Sequence, residues 1–160
     1  MKRDQAEILR ENIAIANKMH HHLERSHQQI TAQLPLQPEQ ISTLNEDQID
    51  ILDLYLARFG KLQDFMVSKL FRSVALAGLE DTSQDVSLLD TLRRMEKYGI
   101  IQNLDDWLEI RLLRNSFAHE YLTDENAVAE NINAAFQAYD VLANTLARIM
   151  DFYDKHIVRK

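Results

Sequence analysis

Residues 46–77 read EDQIDILDLYLARFGKLQDFMVSKLFRSVALA. Ile49, Leu52, Leu56, Phe59, Leu62, Phe65, Met66 and Leu70 recur at intervals of three and four. That spacing lines side chains along one face of an α-helix, at about 100° per residue. Asn45 supplies a helix cap before the stretch and Gly78 a stop after it, so the spacing predicts one long helix over about Glu46 to Ala77.

The same period extends outward in both directions. A first helix is expected from about Arg3 to Ile30, carrying Ile8, Ile13, Ile15, Met19 and Leu23, and ending before Pro35 and Pro38. Thr31 to Thr43 is the longest predicted loop. A third helix, about Gln84 to Tyr98, stops at Gly99, and Asn103 caps a fourth that contains Trp107. Thr123 is expected to cap a fifth, with Val128, Ile132, Phe136, Tyr139, Leu142, Leu146, Ile149 and Tyr153 along it. Short connections favour antiparallel neighbours, so the expected fold is all-α: an up-and-down bundle of about five helices in a single domain spanning residues 1–160.

Composition narrows the chemistry. With 46% hydrophobic residues, 160 residues can bury a core without crosslinks. Cysteine is absent, which removes disulfides, thiolate metal sites and cysteine nucleophiles and suits a reducing compartment. No stretch approaches the roughly 20 apolar residues of a membrane helix, and residues 1–15 lack the apolar run of a signal peptide, so a cytoplasmic protein without a membrane partner is expected. A net charge of -7 argues against a broad phosphate-binding surface, so any nucleic-acid site must be a local cationic cleft.

The fourth helix breaks the amphipathic rule. On a wheel, Asp105, Asp106, Glu109, Leu113, Ser116 and Glu120 share one side, expected to face water, while Leu104, Trp107, Leu108 and Ala118 occupy the opposite half. Arg111, Asn115 and His119 stand four residues apart within that inward half, and Arg114 and Tyr121 line its other edge. Arg114 and His119 are about 140° apart around the axis and about 7.5 Å apart along it. An unpaired buried guanidinium costs several kcal/mol or more. These groups therefore face either a cleft or buried counterparts such as Asp64 or Asp90, with His119 a core histidine; spacing alone leaves both open.

Arg114-Asn115-Ser116-Phe117-Ala118-His119-Glu120-Tyr121 resembles the HEPN ribonuclease signature in its HepT-like toxin form: Arg, a polar residue, three more, His, any residue, Tyr. Tyr55 to Met66 with Lys69-Leu70-Phe71 is similar to the second-helix segment of those toxins, and Leu92 to Ile101 to their third, so the resemblance covers roughly Gln48 to Leu122. It implies a homodimer in which two Arg/His motifs meet in a composite cleft, and metal-independent endoribonuclease cleavage of RNA, with tRNA a candidate substrate. It also implies a toxin-antitoxin module in which a minimal nucleotidyltransferase antitoxin adds AMP to the motif tyrosine, here Tyr121. No cofactor is implied.

Within that reading His119, with an ordinary pKa of about 6.5, suits proton transfer from the ribose 2′-hydroxyl. Arg114 suits the phosphate through its planar fork. Asn115 and Arg111 are supporting candidates, and Arg58 and Lys61 candidate RNA contacts, each equally able to serve in packing or solvated ion pairs. AMP on Tyr121 would block the cleft by charge and bulk. A non-catalytic subunit that binds a nucleotidyltransferase and presents its substrate is the alternative, and a purely structural bundle a third.

His20, Glu24 and His27 share a helical face and invite a metal reading. Consecutive histidines diverge around a helix, however, and no Asp/Glu-x-x-His pairs elsewhere complete a bundle site, so His20, His21, His22 and His27 are expected on a solvated or partner-contacting face. No Gly-rich phosphate loop or serine triad motif is present.

Overall fold

The computed structural model describes residues 3–79, 87–117 and 124–159. Among them no strand occurs, and no helix is long and apolar enough to cross a membrane. Asp4 caps α1 (Gln5–Ile30) by accepting from the Ala6 amide. The predicted loop holds a 3-10 turn (Thr31–Gln33) and a short sixth helix, α2 (Pro38–Ile41), opened by a proline at its first position and a Gln37/Gln40 capping box.

Asn45 caps α3 (Glu46–Phe65) by accepting from the Gln48 amide. The helix then continues through a π-helical turn (Met66–Leu70), α4 (Phe71–Val74) and a second π turn (Ala75–Leu79). Gly78 is therefore no stop: the helix runs past it, and Gly99 alone among described glycines has a positive φ, 76°. Its role is close approach, since a Cβ at Gly78 would collide with the ring of Phe152. Ser87 caps α5 (Leu88–Lys97), which ends in the left-handed turn at Gly99. Asn103 caps α6 (Leu104–Ser116) as expected. For α7 (Glu125–Phe152), extended by a π turn (Tyr153–Val158), the cap is Asp124 rather than Thr123. The Asp124 carboxylate accepts from both Asn126 and Ala127 amides, and its charge also suits the positive helix end.

Cross-helix contacts fix the directions. Asn12 meets Ser73, and His27 meets Tyr55, so α1 and α3–α4 are antiparallel. His20 and His27 meet Tyr139 and Phe136, so α7 opposes α1 and runs parallel to α3. Trp107 packs on Phe71 and Phe117 on Phe59, which sets α6 against α3. The result is an all-α bundle in which α1, α3, α6 and α7 enclose one core, with α5 lying against α4 and α6. Leu9, Leu23, Tyr55, Phe59, Leu62, Met66, Phe71, Trp107, Leu142 and Ile149 fill that core.

Candidate functional site

Arg114 reaches its position because α6 is held to α3–α4 on either side of it. The Trp107 indole meets the Phe71 ring edge-on at 4.9 Å, and Phe117 meets Phe59 at 6.0 Å. Between these pairs the Arg114 stem crosses α3 at Gly60, where a Cβ would lie 3.6 Å from Arg114 Cγ and 3.8 Å from Nε. The guanidinium ends on Asp64, one turn further along. Nε donates to Oδ1 and Oδ2 at 3.0 and 2.9 Å, and Nη2 lies 2.8 Å from Oδ2. Asp64 was one of the counter-ions considered from the sequence, yet the pair is no core pair: the Arg114 and Asp64 side chains are 37% and 49% exposed. Asp90, the other candidate, stands exposed in the first turn of α5.

The inward face of α6 is wider than the expected one. Trp107 is buried and Leu104 and Leu108 pack against the core, as expected, but Ile110 is buried too, and Leu113, expected to face water, packs against the core with Phe117. Arg114 falls between Trp107 and Ile110 on the wheel. Arg111 and Asn115, expected in the inward half, are exposed, as is Leu112 at 70%. His119, Tyr121, Ala118 and Glu120 lie outside the described residues.

On α3, Lys61 is exposed on the same side as Asp64. Arg58 is about 120° away around the helix and is occupied elsewhere: its Nη1 donates to the His22 carbonyl at 3.0 Å and to Ser26 Oγ at 2.7 Å, joining α3 to α1. Lys61 therefore lies on the side of α3 that carries the Arg114–Asp64 pair, and Arg58 belongs to the α1–α3 seam. A separate groove between α6 and α7, lined by Asp106, Ile110, Leu113, Ala134 and Ala138, opens on another flank of α6.

The histidines divide. His21 and His22 are exposed, as expected, whereas His20 and His27 turn inward, against expectation. His27 lies nearly parallel to Tyr139 at 3.8 Å and to Phe136 at 4.4 Å between ring centres. Two rings so close and so parallel cannot share one face, so the imidazole is sandwiched between them. Its Nδ1 is 3.0 Å from the fully buried Tyr55 hydroxyl, and His20 Nε2 is 3.2 Å from the Tyr139 hydroxyl. Burial lowers the pKa of both histidines, raises that of Tyr55, and pushes Tyr139 up to about 12. A signal for this was present: Ala16, His20, Leu23, His27 and Ile30 continue the three-four spacing of the buried stripe of α1. Among the described residues no three His, Asp or Glu side chains converge as metal ligands.

No family model matches the chain, and neither does any curated protein or solved structure.

Proposed function

We propose that the chain is a metal-independent endoribonuclease of the toxin type, resembling HepT-like HEPN ribonucleases, with Arg114 and His119 as its catalytic pair. The observation that carries this reading is the setting of Arg114: a guanidinium held in fixed geometry while remaining 37% exposed, where a phosphate can reach it. An arginine retained only to fill the core would not stand there.

In this reaction His119 removes the proton of the ribose 2′-hydroxyl and the oxygen attacks the adjacent phosphorus. The bond to the leaving 5′-oxygen breaks, leaving a 2′,3′-cyclic phosphate and a 5′-hydroxyl. Arg114 stabilises the charge that grows on the phosphoryl oxygens. A homodimer brings a second His119 to protonate the leaving oxygen, with Arg111, Asn115 and Lys61 supplying the polar walls. A cytoplasmic minimal nucleotidyltransferase antitoxin silences the site by adding AMP to Tyr121, and Tyr121→Phe escapes that control.

The test is incubation of the purified protein with total RNA and with tRNA in EDTA, beside Arg114→Ala and His119→Ala proteins of unchanged helicity. Cleavage by the parent alone, with cyclic phosphate ends, is the expected result. A folded, unmodified parent that cleaves nothing overturns the ribonuclease reading.

A further inference from the structure

We propose that Asp64 is a positioning residue for Arg114: it holds one edge of the guanidinium so that the other edge is presented to the scissile phosphate. This rests on the ribonuclease reading above.

A guanidinium carries five N–H groups in a rigid fork. The side-on edge, formed by Nε and Nη2, is taken by the Asp64 carboxylate, with Nε between both oxygens at 3.0 and 2.9 Å and Nη2 at 2.8 Å from Oδ2. Among the described residues nothing pairs with the other edge, between Nη1 and Nη2, and it offers two parallel N–H groups, which is what two oxygens of a phosphate require. The stem is constrained as well, because it lies against Gly60 at ordinary contact distance. The long side chain is thus ordered before substrate arrives, and binding need not bear that ordering cost.

Holding the helices together is a poor account of the pair. Both partners are half-exposed, where ion pairs contribute about 1 kcal/mol or less. The Trp107–Phe71 and Phe117–Phe59 contacts already fix α6 on α3–α4. A carboxylate at this point also opposes the approach of RNA, so an affinity role alone would select against it. Orientation is the role that remains.

The decisive comparison is Asp64→Asn against the parent, with kcat and KM measured separately on a short RNA. Removing the negative charge leaves KM unchanged or lower, while loss of orientation lowers kcat by at least about tenfold. Asp64→Glu recovers part of that loss, and Asp64→Asn adds nothing further in an Arg114→Lys background. The Arg114 Nε–H resonance, protected from exchange in the parent, exchanges faster in Asp64→Asn whether or not RNA is present. A cleaving parent whose Asp64→Asn variant keeps its kcat overturns the positioning role alone. A parent without cleavage overturns the ribonuclease reading and this role with it.

Discussion

The α1–α7 seam and the α3–α6 seam both carry the side chains of chemistry, and they use them in opposite ways. Between α1 and α7, His20 and His27 are drawn into an aromatic stack, where burial lowers their pKa values. Between α3 and α6, Arg114 and Asp64 form an ion pair that stays wet. A histidine can shed its charge and behave as a flat aromatic ring, whereas a guanidinium cannot, so the first can be packed and the second must be left at the edge. The difference separates a seam that stabilises from one that is available for binding.

That contrast can be broken by experiment, beginning where the effect is largest. His27→Ala removes a ring stacked on two others and takes from the buried Tyr55 hydroxyl the shorter of its two hydrogen bonds. The hydroxyl keeps only its longer bond, 3.5 Å, to the Ala135 carbonyl. The substitution should lower unfolding stability by about 2–4 kcal/mol in urea denaturation; a loss below about 1 kcal/mol would mean the stack is not a stabilising element. Arg58→Ala, which frees the His22 carbonyl and Ser26, should cost about 1–2 kcal/mol by the same measurement.

Acidification should weaken the α1–α7 seam. The folded-state pKa values of His20 and His27 lie below the ordinary value because burial disfavours the cation, although Glu24 favours it at both and Asp140 at His27. The unfolded chain therefore takes up these protons first. Their contribution is complete above about pH 6.5 and is lost as pH falls from there through the lower folded values. Asp53 runs the other way, its pKa raised by burial, so it favours the folded state at low pH and loses that effect as pH rises through its raised value. The midpoint of thermal unfolding should drop between pH 7.5 and pH 5.5 in the parent and drop less in His27→Phe. Equal drops would show that His27 does not titrate in this window.

The smallest effect sharpens the comparison most. Arg114→Ala should change stability by about 1 kcal/mol or less, the scale of a half-exposed pair, while the proposed ribonuclease reading expects it to abolish cleavage. A loss near that of His27→Ala would make the α3–α6 pair structural after all.

The helices were legible because their signals are local: the three-four spacing of residues 49–70, the Asn45 and Asn103 caps, and Gly99 in its left-handed turn. The errors came where a distant partner decides. Gly78 reads as a stop until Phe152 arrives beside it. The wheel of α6 puts Leu113 towards water, yet it packs against the core beside Ile110, because nothing in α6 itself says how far α3 and α7 will cover it. Arg114 is anomalous on its helix and Asp64 a possible partner from sequence alone, but a wheel cannot tell a buried ion pair from one at the rim. His20 and His27 share a face that their polarity suggests is solvated, yet the three-four spacing continues the stripe of Leu23 and Ile30.

The two wide turns that follow α3 bear on chain length. A π turn holds one residue more than an α turn, and Met66–Leu70 and Ala75–Leu79 each contain one such surplus. Deleting a residue within 66–70 would tighten that turn to the ordinary pitch and leave Phe71 still facing Trp107. Deleting one within 49–62 would swing every later side chain by about 100° and carry the core face into water. The long helix thus has slack stored at one end only, beyond the residues that hold Arg114, so this end can absorb changes in length while the part beneath the arginine stays in register.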